Sequence, residues 1–379
     1  IEIIMKKRNV FLGLLTCLLV FGSGIAQDNE NSRWSEEKAN QWYEEKGWLI
    51  GSNFNASTAI NQLEMWQEED FNPEVIDREL GWAADLGFTS MRVYLHDLVW
   101  KEDPQGFLNR LEEYLEISES HGIGTMFVLF DGVWDPQPAL GKQPDPTPHV
   151  HNSGWVQSPS ADVLKDSAQW SHLEDYVKGV VGKFKNDERV DVWDIYNEPD
   201  NTNDRAYGHV ELEDKKERAF DLLKAAFGWA REVNPSQPIT SGLWYGDWSD
   251  HGHMKEMDKF MVDHSDVISF HVYDGPEVMR ERINNLKRYN RPLLCTEYMA
   301  RPRGSTFEAE LPILKKENVG GYNWGFVAGK SQTIYPWNSW DSTYTAEPDI
   351  WFHDILRDDG SPYDEQEVEF IKKTTTRSR

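Results

Sequence analysis

Eight short apolar, β-prone runs alternate with helix-like segments along this chain, and that alternation limits its fold more than any other feature. The runs are Trp48–Phe54, Thr89–His96, Gly124–Phe130, Val190–Asn197, Pro238–Trp244, Val267–Tyr273, Leu293–Glu297 and Gly320–Phe326. Between them, apolar residues recur at helical spacing. Val75, Ile76, Leu80 and Ala83 follow an Asn72-Pro73 start and stop at Gly87. Phe107, Leu111, Tyr114 and Leu115 share one side of Gln105–His121, and Ala219, Phe220, Leu223, Ala226, Phe227 and Ala230 precede Asn234-Pro235. Helices are also expected near Trp170–Lys185 and at Gly252–His264, Glu277–Tyr289 and Thr306–Glu317, and Pro348–Leu356 closes the series. A strand that reaches the next strand through a helix pairs with it in parallel. The expected fold is α/β: a single (β/α)8 TIM barrel with long loops at the C-terminal face of the strands, where the chemistry of such barrels gathers. An open doubly wound sheet would carry a glycine-rich phosphate turn after its first strand, and Ser52–Ser57 (SNFNAS) is not one.

The barrel is expected to occupy residues 27–379. The first 26 read as a secretory signal. Met5 stands as the start, Lys6, Lys7 and Arg8 form the charged region, and Val10–Phe21 is apolar. Gly24-Ile25-Ala26 then places small residues before Gln27. The apolar stretch is well short of the roughly 20 residues that span a bilayer, and no later segment is long enough. The expected location is secreted or periplasmic. Without the signal (three basic residues, one acidic) the formal net charge goes from −26 to −28. Such a surface repels nucleic acid and anionic membranes, so neither is an expected partner. Of two cysteines, Cys17 leaves with the signal and Cys295 has no disulfide partner. A chain of this size has core enough not to need one.

Two of the runs deliver a glutamate where they end: VWDIYNEP at Val192–Pro199 carries Glu198, and PLLCTEY at Pro292–Tyr298 carries Glu297. They end the fourth and seventh strands, so a closed barrel would bring them to one rim. Cleaving a sugar acetal needs such a pair. One carboxylic acid protonates the leaving oxygen while an ionised carboxylate faces the anomeric carbon, and a separation of about 5 Å makes the second a nucleophile. Arg92 near Glu297 would hold it ionised by Coulomb attraction. Glu198, as the proton donor, needs a raised pKa and a drier place.

With these residues the chain resembles the clan of retaining glycoside hydrolases built on a (β/α)8 barrel, which includes the cellulase/mannanase family five. The likeness covers nearly all of residues 27–379, and its most specific motif is Asn197-Glu198-Pro199 joined by Glu297. The resemblance implies that Glu198 is the general acid/base and Glu297 the nucleophile. It implies that Asn197 hydrogen-bonds the sugar 2-hydroxyl, that Arg92 keeps the nucleophile ionised, and that His271 and Tyr273 match the family's His-x-Tyr on strand six. It further implies that Trp324 is a platform under the reacting sugar and that Asn53 is the polar residue ending strand one. The family usually has a His near the end of strand three. Here that strand ends Leu129–Trp134 (LFDGVW), so Asp131 or Trp134 takes that sugar contact.

Seventeen Trp suit a sugar binder, because sugars present apolar C–H faces to flat rings. Trp244 and Trp324 lie at strand ends, and Trp100, Trp134, Trp155, Trp248, Trp337 and Trp340 are further candidates. His149-x-His151 sits in a Pro-rich loop without the supporting ligands of a metal site. Asp200–Asp204 (DNTND) lacks the glycine of a calcium loop. The expected activity is therefore a retaining β-glycosidase without cofactor or metal. Its partner is a neutral poly- or oligosaccharide. The other readings are a barrel that binds carbohydrate without turning it over and a metal-dependent hydrolase. The length of the loops after strands three and eight favours one walled-off end and action at chain ends.

Overall fold

The computed structural model describes residues 32–376; the signal-like segment lies outside the described residues. Eight strands form one parallel sheet: β1 Ile50–Phe54, β2 Ser90–Tyr94, β3 Gly124–Asp131, β4 Val190–Asn197, β5 Ile239–Thr240, β6 Ile268–Val272, β7 Leu293–Tyr298 and β8 Gly320–Asn323. Their order is β5-β4-β3-β2-β1-β8-β7-β6. The two ends of that order meet. Leu243 bridges Phe270 in parallel, Leu243 N–H donates to Ser269 O at 3.0 Å, and His271 N–H donates to Leu243 O at 2.8 Å. The sheet is thereby closed into the expected (β/α)8 barrel.

Each strand is followed by an outer helix: Pro73–Asp85, Pro104–Ser120, Ser171–Phe184, Lys215–Val233, Glu256–His264, Pro276–Leu286, Phe307–Glu317 and Glu365–Thr375. The sequence signals act where they stand. The Asn72 side chain accepts from Val75 N–H, Gly87 takes φ 77°, and Asn234 ends its helix in the left-handed region at φ 55°.

Three elements differ from expectation. Strand β5 keeps regular pairing over two residues rather than Pro238–Trp244, because Ser241 turns to other partners. Its Oγ donates to Tyr196 O at 2.7 Å and its N–H to Ser265 Oγ at 3.3 Å. Pro348–Leu356 is irregular, and the helix that closes the series is Glu365–Thr375, capped by Asp364. Residues 351–356 are all buried, which leaves no solvent face for an amphipathic helix there. A helix at Glu36–Lys46, not anticipated, closes the barrel floor. Its Tyr43 packs with Leu49, Met126, Val192, Val267, Leu294 and Tyr322 inside the strands. That apolar plug forces the functional opening to the other end.

Candidate active site

Strand register puts polar residues side by side at the upper rim. Asn53 pairs with Arg92 across β1 and β2, Asp131 with Asn197 across β3 and β4, and His271 with Glu297 across β6 and β7. The β6–β7 ladder shifts register between Phe270 and His271, a bulge that re-aims the side chains beside it. Glu198 follows β4 with φ 40°, a left-handed conformation rare outside glycine. That turn swings its side chain from the strand end into the barrel mouth.

One carboxylate oxygen of Glu198, one of Glu297 and a ring nitrogen of His271 all lie within 4.8 Å of one another. The two acids are held differently. Glu297 Oε1 accepts from Arg92 Nη1 at 3.0 Å and from the Tyr94 hydroxyl at 2.9 Å, and Oε2 accepts from the Tyr273 hydroxyl at 2.6 Å. Burial pushes the Glu297 pKa up, but His271, the Arg92 guanidinium and the two hydroxyls outweigh it, and the net shift is downward. Glu198 has one Oε1 contact with His271 Nδ1 at 2.8 Å, and its Oε2 accepts from Asn201 Nδ2 at 2.8 Å. There burial wins, helped by the Glu297 charge, and the pKa is raised. Two neighbouring carboxyls driven in opposite directions can hold one ionised group and one protonated group side by side.

Behind the pair lies a charged layer. Arg92 is wholly buried and bonds Asp194 Oδ2 through Nε at 3.1 Å and Nη2 at 2.8 Å, Asn53 Oδ1 at 2.8 Å and Asn197 Oδ1 at 2.8 Å. Asn197 Nδ2 donates in turn to Asp131 Oδ1 at 3.0 Å, and Trp155 Nε1 donates to Asp131 Oδ2 at 2.6 Å. Burial pushes Asp131 up to about 7 against those bonds. Gly132 N–H donates to Asn197 O at 2.9 Å, and a Cβ at Gly132 would stand 2.4 Å from Glu198 O. Only glycine allows the β3 loop to lie this close to the acid.

A cavity of about 580 Å³ opens over the pair. Of the residues singled out from sequence, Asp131, Trp134, Asn197, Glu198, Trp244, Tyr273, Glu297 and Trp324 line it. Asn53, Arg92 and His271 do not. They sit beneath or beside the acids, where Arg92 braces Glu297, Asn53 holds Arg92 and the Thr296 carbonyl, and His271 Nδ1 lies between the pair. Trp155 and Trp337 also line the cavity. Trp340 stacks behind Trp134 at 5.5 Å and 15°. Trp100 packs against Tyr176, and Trp248 is a buried neighbour of Phe270. His149 and His151 each turn a ring nitrogen to Tyr335, at 2.5 Å from its hydroxyl and 2.8 Å from its carbonyl oxygen. Among the described residues, Glu198, His271 and Glu297 form a His/carboxylate cluster of metal-binding size, and all three already serve one another, Arg92 and the tyrosines.

Sequence reasoning missed Tyr94, Asp194, Asn201 and Gly132. Tyr94 carries a usable signal, since it lies two residues after Arg92 and so on the same strand face.

One family model, Glycosyl hydrolase family 10, matches residues 148–268, a stretch that contains Glu198. No curated protein matches by sequence. Solved structures with the same fold include three with related names. The GH5_18 protein from Streptomyces cattleya in complex with Manb1-4GlcNAc is 12% identical with TM-score 0.56, over 86% of this chain and 80% of that one. The exo-β-1,4-mannosidase Op5Man5 from Opitutaceae bacterium strain TAV5 is 18% identical with TM-score 0.56, over 86% and 60%. The β-mannanase from the blue mussel Mytilus edulis is 16% identical with TM-score 0.54, over 87% and 92%. Taken with the family-model match over residues 148–268, the barrel and its close carboxylate pair are similar to those of the (β/α)8 clan of retaining glycoside hydrolases.

Proposed function

We propose that this chain is an exported retaining β-glycosidase that acts on a neutral β-linked glycan or oligosaccharide. The observation that carries the reading is the Glu198–Glu297 pair, within 4.8 Å and with pKa values driven apart. A Glu297 carboxylate oxygen attacks the anomeric carbon as Glu198 gives its proton to the departing oxygen, and the glycosidic bond breaks. The covalent ester removes the Glu297 charge, one of the causes of the raised Glu198 pKa, so Glu198 becomes the base. It takes a proton from water, the resulting hydroxide equivalent attacks the anomeric carbon, and the ester bond to Glu297 breaks. Two inversions give retention.

A neutral sugar is favoured because the cavity floor holds Asp131, Glu198 and Glu297 and the whole chain is strongly acidic. The names of the similar structures make β-mannosides the first substrates to try, ahead of β-glucosides and β-xylosides. Export rests on the signal-like segment alone.

The test is chemical rescue with dinitrophenyl β-glycosides and azide. Glu297→Ala should give an α-glycosyl azide, by one inversion. Glu198→Ala should give the β-azide, by attack on the covalent intermediate. Wild-type protein that cleaves no β-glycoside would leave a carbohydrate-binding barrel instead.

A further inference from the structure

The cavity over the catalytic pair is lined from six of the eight rim positions, and no residue from the rim of β1 or β2 is among them. That side is covered. From the β1 rim, Asn61 Nδ2 donates to Gly154 O and Gln62 Nε2 to Val156 O, both at 2.8 Å, which ties down the loop after β3. Lys330 N–H, in the loop after β8, donates to Ser57 O at 2.9 Å. The two loops then close on each other. Asn152 N–H donates to Ser331 O at 2.9 Å, His151 N–H to Ser339 Oγ at 3.0 Å, and Trp340 Nε1 to His151 O at 2.9 Å. The loop after β4 joins them through the Arg205–Asp341 ion pair at 2.8 Å and the edge of Tyr207 against Trp340.

This is a wall rather than a flap. His151, Asn152 and Trp155 are each 3% exposed or less, while Tyr245, on the opposite lip, is 66% exposed. The cleft therefore has one blind end and one open end. Chemistry says which is which. The leaving oxygen must meet Glu198, so the departing group lies on the β4–β5 side, by Asp200, Trp244 and Tyr245. The sugar attacked by Glu297 lies on the β7–β8 side, against Trp324, with the collar directly beyond it.

We infer that the blind end receives the non-reducing terminal sugar of a β-linked oligosaccharide, and that the enzyme releases single sugars from chain ends. The inference rests on the assignment of Glu198 and Glu297 as a retaining pair. A substrate running through the cleft would need a passage between β8 and β3, and the joined loops occupy it. Trp340 is the specificity-determining residue, because it holds three loops together without lining the cavity.

The experiment uses the purified chain and a borohydride-reduced β-linked pentasaccharide of whichever sugar is cleaved fastest as its p-nitrophenyl β-glycoside. First products are sized at low conversion. Monosaccharide and reduced tetrasaccharide alone are expected; di- or trisaccharides among the first products overturn the inference and leave hydrolysis itself standing. Failure on every aryl β-glycoside sinks the retaining-pair reading instead. Trp340→Ala, checked for an intact melting transition, should raise the share of internal products severalfold. If it does not fold, Arg205→Ala takes its place, with the same direction and a smaller rise. An unchanged product pattern in a folded collar variant contradicts the role given to the joined loops.

Discussion

Two glutamates of the same chemistry hold different charges here because their partners differ. Glu297 receives hydrogen bonds from Arg92, Tyr94 and Tyr273, while Glu198 is buried beside a like charge. The pH dependence follows. In the proposed mechanism the active form has Glu297 ionised and Glu198 protonated, so kcat/KM should trace a bell. Its acidic limb should lie below the ordinary glutamate range and its basic limb above it. Tyr94→Phe removes a donor from the ionised carboxylate, which raises the Glu297 pKa. A pH–rate profile of that variant should show the acidic limb moved to higher pH and the basic limb nearly in place. Glu198→Gln should slow cleavage of substrates with poor leaving groups by roughly 10²- to 10⁴-fold. Dinitrophenyl glycosides, which need no proton, should be cleaved in their first step at nearly the wild-type rate. Gly132→Ala forces the β3 loop off Glu198 O, and because the clash is with backbone, steady-state kinetics should show kcat falling while calorimetry shows a lower melting temperature. Glu198 and Glu297 were legible in the sequence because each ends an apolar run. Gly132 was not, since the close approach that demands glycine is created only when β3 and β4 pair.

At the scale of elements, strand and helix positions could be read wherever one face is apolar and a cap stands at the end, as at Asn72-Pro73 and Asn234. They were misread where side chains take over backbone bonding. Ser241 shortens β5 in this way, and the helix Glu36–Lys46 went unread because only Ala39 and Tyr43 of it are buried. The helix Phe307–Glu317 carries a further consequence. Its Glu310 is fully buried, neither carboxylate oxygen has a hydrogen-bond partner, and burial pushes its pKa from 4.5 up to about 8. Glu310 is thus protonated in the fold and ionised in the unfolded chain between those values, and unfolding releases a proton. Its contribution to stability is complete below pH 4.5 and declines as pH rises towards about 8. Glu310→Gln cannot ionise. Calorimetry should find the fall in melting temperature between about pH 5 and 8 reduced by on the order of a few degrees in that variant. An unchanged fall would mean that Glu310 is ionised or solvated in the fold.

Across the whole molecule, closure of eight parallel strands does what neither local motif does alone. It turns the ends of β4 and β7, about a hundred residues apart, into one pocket above an apolar plug. The alternation that shows this is periodic and long, so it survives misplaced element ends. The loop collar is the opposite case. Its contacts, such as Trp134 on Trp340 and His151 with Ser339, pair residues nearly two hundred or more positions apart, with no periodic signal to announce them. Loop length hinted at a wall, and only the fold shows which side it closes. The most direct measurement is to trap the covalent intermediate. Wild-type enzyme is treated with a dinitrophenyl 2-deoxy-2-fluoro-β-glycoside of its preferred sugar, digested and mapped by mass spectrometry. One fluorosugar per chain, attached to Glu297, is the expected result. Attachment to Glu198, or release of the α-anomer of the sugar as the first product with no adduct, would contradict the retaining pair.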